Sequence, residues 1–356
     1  MSKPLVLTCD IGTQSARALL VDPDGRIVDV VQSKYAEPYF SKEPGWAEQK
    51  PDFYFDRLCE CCRELCARSN ALLPDVIAMT ITVIRDTVVC LDENNNPLRD
   101  IILWLDKRSV DPNGAMPAKN MMVFKLAGME PTAKVVYAAS AGNWIMRHEP
   151  EIWARTAKYV MLPTYLNYKL TGNLIDSASN QIGHIPFDYK NRRWMKPGSL
   201  TRCFCDVPNE KLCDLVPSGT VIGTVTEQVS ALTGIPAGLP LISTGSDKGC
   251  ETLGLAVVDS DKASISLGTT ATIQFSTTQY VEPQQFLPAY PGVLNDHYNP
   301  EIEIYRGLWL LSWFVKEFGT ADAIDAKEMG MAPEALLDQR IRDLPAGSDG
   351  LLLQPY

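Results

Sequence analysis

Leu5-Val-Leu-Thr-Cys-Asp-Ile-Gly-Thr-Gln-Ser-Ala-Arg-Ala-Leu-Leu-Val21 is the stretch on which the fold turns. Leu5–Cys9 is a short apolar run, Asp10 to Ser15 carries the glycine and hydroxyl residues of a bend, and Ala16–Val21 is apolar again. Pro23-Asp-Gly25 supplies the next bend and Ile27–Val31 a third run. Short apolar runs separated by turn residues predict an antiparallel meander. At a Gly-Thr bend the backbone N–H groups and a hydroxyl converge, a concavity suited to phosphate. Asp10 could hold Mg²⁺ through water, and Arg17 adds a fixed positive charge. The same residues also read as a plain tight turn with a solvated aspartate.

Outward from the meander, Pro51 stands where a first helical turn tolerates it. Phe55, Leu58, Cys62, Leu65 and Cys66 recur at helical spacing. Val76–Val83 reads as a buried strand, Thr87–Leu91 as another, and Ile101–Leu105 as a further apolar run. From Met121 to about Leu170 the pattern is helical, ending at Gly172 in a left-handed position. Val221–Val225 predicts a strand, Gln228–Thr233 a short helix closed by Gly234, and Leu241–Thr244 a strand. Ser264–Leu267 and Thr272–Phe275 predict a second hairpin around Gly268-Thr-Thr270, and Leu308–Phe318 is the last helix-like run. Asp10-Ile-Gly-Thr13 is echoed in Ser266-Leu-Gly-Thr269, which suggests two related domains facing one ligand. The boundary falls near 245, giving residues 1–245 and 246–356.

The 356 residues suffice for two domains, and 46% hydrophobic with 21% charged residues is globular composition. Thirty-three Lys plus Arg against 43 Asp plus Glu give a net charge of −10, poorly suited to nucleic acid or anionic membrane. No apolar run approaches the ~20 residues of a membrane helix. The expectation is a cytoplasmic protein with no nucleic-acid or membrane partner, its ten cysteines being free thiols. Cys59, Cys61, Cys62 and Cys66 suggest a metal cluster, but Cys59, Cys62 and Cys66 share the apolar helical stripe and read as buried thiols. Three histidines, His148, His184 and His297, weaken any case for His-based triads, and His184 reads as a hydrogen-bonded loop residue. No GxxxxGK[ST] or GxGxxG is present.

Several polar residues remain. In Val83-Ile-Arg-Asp-Thr87, Arg85 can donate and Asp86 can accept, a pair suited to a polyhydroxylated substrate or to a structural ion pair. Trp104, in Leu103-Trp-Leu-Asp-Lys-Arg108, offers an apolar face and an N–H donor, or is a core indole beside a surface salt bridge. Asp247 stands in Gly245-Ser-Asp-Lys-Gly249, after a strand. It could take a proton from an attacking hydroxyl, or cap the helix beginning near Lys248.

In this order and spacing the segments resemble the FGGY carbohydrate kinases. Asp10–Arg17 is similar to the family's first phosphate hairpin, and Pro44-Gly-Trp-Ala-Glu-Gln49 to its PGWxEQ segment. Arg85-Asp86 resembles the polyol-binding pair, Leu103–Arg108 the WxDxR stretch, Leu162–Gly172 the helix ending in Leu-Thr-Gly, and Gly245–Gly249 the GGGDQ segment. The resemblance implies an α/β, two-domain actin-like ATPase fold of the ribonuclease H-like type, with ATP clamped between the domains. It implies transfer of the ATP γ-phosphate to a ketose or polyol, a pentulose such as xylulose being favoured. Asp247 would be the catalytic base, with Arg85, Asp86, Trp104 and Lys248 on the substrate. Gly12, Thr13, Gln14, Ser15, Arg17, Gly268, Thr269 and Gly307 would bind nucleotide, and Asp10 would hold Mg²⁺. Lys248 replaces the family's amide, which could favour a substrate carboxylate or phosphate. Tyr137 falls near the family's substrate-side helix. Family members are longer, and Leu351–Tyr356 resembles the strand before the GER motif, so the resemblance implies an incomplete second domain. A catalytically silent sugar-binding protein and an actin-like ATPase are the alternatives, and the family suggests a homo-oligomer.

Overall fold

The computed structural model describes residues 3–268, 270–285, 287–304 and 307–353. Its centre is a six-stranded sheet ordered Val221–Thr224, Pro240–Ile242, Val76–Val83, Leu5–Ile11, Ser15–Val21, Ile27–Lys34. The first three strands of the chain form the expected antiparallel meander. Val76–Val83 then runs parallel to Leu5–Ile11, and Pro240–Ile242 parallel to Val76–Val83. The period-two pattern is plain in Leu5, Leu7, Cys9 and Ile11, all buried. Helix Pro51–Arg68 covers one face with Tyr54, Phe55, Leu58, Cys62 and Leu65. Cys59, Cys61, Cys62 and Cys66 are buried in that packing. Burial pushes the Cys59 and Cys66 thiols up to about 12 and Cys61 up to about 11, so all three stay protonated at neutral pH.

A smaller sheet, Glu48–Gln49, Ile101–Ile102, Val88–Leu91 and Lys158–Met161, lies beside the first. Glu48 is 1% exposed and accepts from Arg108 at 3.0 Å and Arg99 at 2.8 Å. The Arg108 guanidinium lies 3.8 Å from the Trp46 ring centroid. The Arg108–Asp106 pair beside Trp104 is therefore buried, not the surface salt bridge expected of it.

The continuous helical pattern expected from Met121 to Leu170 is broken into pieces. Helices Ala118–Leu126, Glu130–Ala139, Ala141–His148 and Pro150–Arg155 precede strand Lys158–Met161, and helix Leu162–Thr171 follows it. Gly128 at φ 69°, the Ser140 N-cap and prolines at helix starts supply the stops. Gly172 and Gly234 are left-handed helix ends, as read from the sequence.

The second hairpin is Ser264–Leu267 with Ala271–Gln274, extended by Glu301–Ile304. Its register sets Ser264, Gln274 and Glu301 in one row and Ile265, Ile273 and Ile302 in the next. Alternation then turns the polar row inward, while the isoleucines are 61%, 44% and 54% exposed. Helix Trp309–Glu317 matches the expected run, but helices Thr320–Glu328 and Pro333–Ile341 follow it. Leu351–Leu353 carries no strand, and residues 354–356 lie outside the described residues. Among the described residues no helix is long and apolar enough to cross a membrane.

Candidate active site

The first hairpin closes through the Gly12 N–H donating to Ser15 O at 3.0 Å. Asp10 and Arg17 are cross-strand partners, and Arg17 Nη1 donates to Asp10 Oδ2 at 2.6 Å. The two charges expected on metal and phosphate therefore face each other here. Asp10 remains 35% exposed, and a single carboxylate completed by waters and phosphates is chemistry Mg²⁺ accepts. Among the described residues no cluster of three or more His, Cys, Asp or Glu side chains is arranged for a metal. Thr13 stands at the bend, its hydroxyl accepting from Trp104 Nε1 at 3.0 Å. The Trp104 donor expected on substrate thus fixes a hydroxyl expected on phosphate.

Arg85 follows the end of strand Val76–Val83. Its Nη1 and Nη2 donate to the two Glu301 oxygens at 3.1 and 3.0 Å, and Nε lies 3.4 Å from Asp247 Oδ1. Burial opposes its charge, yet Asp247 and Glu301 together hold its pKa above the arginine value. Glu301 is 5% exposed and also accepts from Gln274, whose Oε1 accepts from Thr252 at 2.6 Å. Thr252 and Asp247 belong to one helix, so the chain Asp247, Arg85, Glu301, Gln274, Thr252 closes on itself.

Asp86 adopts φ 46°, in the left-handed region that a non-glycine residue seldom occupies. Its Oδ1 accepts from the His184 backbone N–H at 2.8 Å, and its Oδ2 meets His184 Nδ1 at 2.7 Å. Burial raises the Asp86 pKa, but His184 more than offsets it and the net shift is downward. Asp86 in turn holds the imidazole pKa above its usual value, against burial. Both oxygens expected to accept from substrate are therefore engaged by His184.

Asp247 opens helix Asp247–Gly254, but Ser246 is its N-cap, accepting from the Gly249 N–H at 3.2 Å. The carboxylate is left to face the cavity, and burial pushes its pKa up against the pull of Arg85 and Lys248. Lys248 Nζ donates to both Glu251 oxygens, at 3.0 and 2.9 Å, and to Ser266 Oγ at 2.8 Å. Its charge is thus compensated within its own helix. Gly307 packs onto the second bend, where a Cβ would meet Thr270 O at 2.4 Å and Gly268 O at 2.5 Å. Thr269 lies outside the described residues.

Thr13, Arg85, Asp86, Trp104, Asp247, Lys248 and Gly268 all line one cavity of about 770 Å³. His184, Tyr290, Glu301 and Glu303 line it as well. Gly12, Gln14, Ser15 and Arg17 are not in its lining. Tyr137 packs with Met116 and Phe124 in a separate apolar cluster.

The model of the FGGY family of carbohydrate kinases, N-terminal domain, matches residues 5–254. The chain belongs to the FGGY family of carbohydrate kinases. It is 26% identical over 353 residues to an uncharacterised sugar kinase, YgcE, of Escherichia coli (strain K12), covering 99% of this chain and 64% of that protein. Over 364 residues it is 24% identical to a xylulose kinase of Bacillus subtilis (strain 168), covering 99% and 67%. A gluconate kinase structure from Lactobacillus acidophilus matches with TM-score 0.80 at 22% identity, over 100% of this chain and 69% of that one. A ligand-bound xylulose kinase from the same organism matches with TM-score 0.79 at 21% identity, over 99% and 68%. The fold is thus the two-domain actin-like fold, and the chain spans about two thirds of the length of the curated relatives it matches.

Within this FGGY chain, sequence reasoning missed Glu301, Gln274 and Tyr290, and placed His184 merely in a loop. Glu301-Ile-Glu-Ile304 did carry a signal, since period-two alternation puts both glutamates on one face. Nothing local announced that this face meets Arg85, 216 residues away.

Proposed function

We propose that the protein acts as an ATP-dependent kinase that phosphorylates a hydroxyl of a ketose or polyol, a pentulose such as xylulose being favoured. Residues 1–245 would carry the sugar and 246–356 the nucleotide side of the cleft. The observation that carries this reading is Asp247. It is a carboxylate of raised pKa at the start of a helix, lining one cavity with Thr13 and Gly268 and 3.4 Å from a guanidinium. A sugar hydroxyl laid against it would lose its proton to the carboxylate as it attacks the terminal phosphorus. Arg85, pinned by Glu301, keeps that carboxylate oriented. Thr13, and Gly268 with Thr269, would contact phosphate oxygens from opposite sides, while Gly12, Gln14, Ser15 and Gly307 shape the two bends. Asp10 would hold Mg²⁺, whose chemistry here would be to neutralise phosphate charge. The phosphates would draw Arg17 away from Asp10, exchanging an ion pair for a charge-assisted contact.

Asp247→Asn tests the assignment. The variant should lose ~10²–10⁴-fold in kcat, the contribution of a positioned base, and retain the wild-type ATP dissociation constant. Turnover within a few-fold of wild type would remove Asp247 from the role.

Equilibrium ATP binding to the 356-residue chain tests the nucleotide side, because micromolar affinity requires one that works.

A further inference from the structure

We propose that His184, held by Asp86, is a substrate-facing specificity residue, and that it reads a hydroxyl of a neutral polyhydroxylated substrate. This rests on the kinase reading for the identity of the cavity.

Asp86 holds His184 through both oxygens of its carboxylate. Its two oxygens take the backbone N–H and Nδ1 of His184 at 2.8 and 2.7 Å. The surrounding chain is shaped to that contact. A Cβ on Gly183 would lie 2.3 Å from Asp86 Oδ1, so only glycine fits there. Tyr189 Oη holds the same residue from the other side, accepting from the Gly183 N–H at 3.1 Å and donating to its carbonyl at 2.8 Å. Asp86 itself sits at φ 46° and donates its own N–H to Ile182 O at 3.0 Å. Backbone strain of this kind persists where the surroundings over-determine it, and it clusters at functional sites.

With Nδ1 engaged, the imidazole keeps one polar atom, Nε2. The side chain is 34% exposed and lines the cavity that Asp247 also lines. An imidazole oriented through one nitrogen presents the other in a fixed direction. Protonated, Nε2–H donates to a hydroxyl; neutral, with the proton on Nδ1, Nε2 accepts from one. A hydroxyl can answer either state, whereas a carboxylate can only accept.

The charges around it favour a neutral substrate. Asp86 already balances His184, Glu301 and Asp247 balance Arg85, and Glu251 balances Lys248. Glu303 adds a further carboxyl to the wall, its pKa raised by burial. Lys190 is a further cation of the wall, but Asp86, Asp188, Asp247, Glu282, Glu301 and Glu303 outnumber Arg85, Lys190, Lys248 and His184 there, so a substrate carboxylate would face an excess of carboxyl groups. The sugar-reading role expected of Asp86 therefore passes through it to His184.

Calorimetric titration with D-xylulose and D-gluconate, on wild type and His184→Gln, provides the test. Wild type should bind D-xylulose more tightly than D-gluconate. His184→Gln should weaken D-xylulose at least tenfold, leave ATP affinity unchanged, and raise KM by more than it lowers kcat. Equal D-xylulose affinity in the two proteins would overturn the assignment while leaving the kinase reading intact. Tighter D-gluconate binding by wild type would overturn the neutral substrate class. Failure of wild type to bind either sugar, with ATP still bound, would overturn the pentulose reading and this inference with it. One measurement needs no substitution. The chain has three histidines, so ¹⁵N-labelled imidazoles can be assigned individually in the intact protein. The His184 Nε2 resonance should move on adding D-xylulose while those of His148 and His297 stay still. An unmoved His184 signal in the saturated protein would overturn the proposal.

Discussion

Removing Glu301 would leave the Arg85 guanidinium in the cleft wall with Asp247 as its near partner. Breaking a buried pair on one side costs about 3–5 kcal/mol, and Glu301→Ala should lose that much in urea denaturation. Arg85 would also close on Asp247 and depress its pKa, so the acid limb of the pH–kcat/KM profile should move to lower pH. An unshifted limb would show that Glu301 serves stability alone. A second buried carboxylate sets a pH dependence of folding. Asp176 accepts from Thr164 at 2.8 Å, Gln181 at 3.1 Å, Asn180 at 2.8 Å, Asn167 at 3.2 Å and the Ser177 N–H at 2.8 Å. Burial still outweighs these donors and pushes its pKa up from 3.8 to about 6. The folded state therefore binds the proton more tightly than the unfolded chain. Its contribution is complete below 3.8 and is lost as pH rises through about 6, amounting to about 3 kcal/mol. Urea midpoints for wild type and Asp176→Asn between pH 4 and 7 should diverge by that slope. At this scale the sequence disclosed the setting of residues placed by their neighbours, such as Thr13 in its bend and Asp247 after its strand. It hid those defined by a distant partner. Arg85 and Asp86 read as substrate donors and acceptors because nothing within a few residues shows Glu301 or His184 beside them.

At the scale of elements, Ser246 fixes the start of helix Asp247–Gly254 and Gly307 the position of the second bend. Ser246→Ala removes the N-cap of helix Asp247–Gly254 and should cost about 1 kcal/mol. Because Asp247 is in the first turn of that helix, kcat should fall several-fold with little change in ATP affinity. Gly307→Ala drives a Cβ against Thr270 O and Gly268 O and must displace the second bend. Its ATP dissociation constant should rise by at least tenfold with D-xylulose affinity retained; equal losses for both ligands would deny the bend a separate nucleotide role. Strands and the glycine stops at Gly172 and Gly234 were legible here because each follows from a few neighbouring residues, whereas the Ser140 and Ser246 caps were not read. The region from Met121 to Leu170 was not, since helical periodicity alone does not show where one short helix ends and another begins. The interruptions come from Gly128, Ser140 and Pro150, together with the recruitment of Lys158–Met161 into a sheet with Val88–Leu91.

Across the whole molecule, the hairpin sheet is polar toward the cleft and apolar outward. Ser264, Gln274 and Glu301 face in, while Ile265, Ile273 and Ile302 face out. A contiguous exposed apolar row promotes association. Ile273→Lys should therefore reduce the concentration dependence of the sedimentation coefficient and change folding stability by no more than ~0.5 kcal/mol. A large stability loss would show that the row is packed in solution. The amino-acid sequence by itself determined the meander, the helix and strand that follow it, the hairpin Ser264–Gln274 and the family, because hydrophobic period and turn chemistry are properties of adjacent residues. The tertiary structure decided which carboxylate meets which cation. Arg85 took Glu301, Asp86 took His184 and Lys248 took Glu251, leaving Asp247 and the His184 imidazole to face the cavity. Charge pairing depends on distances across the fold, and those are fixed only when the two halves of the chain come together.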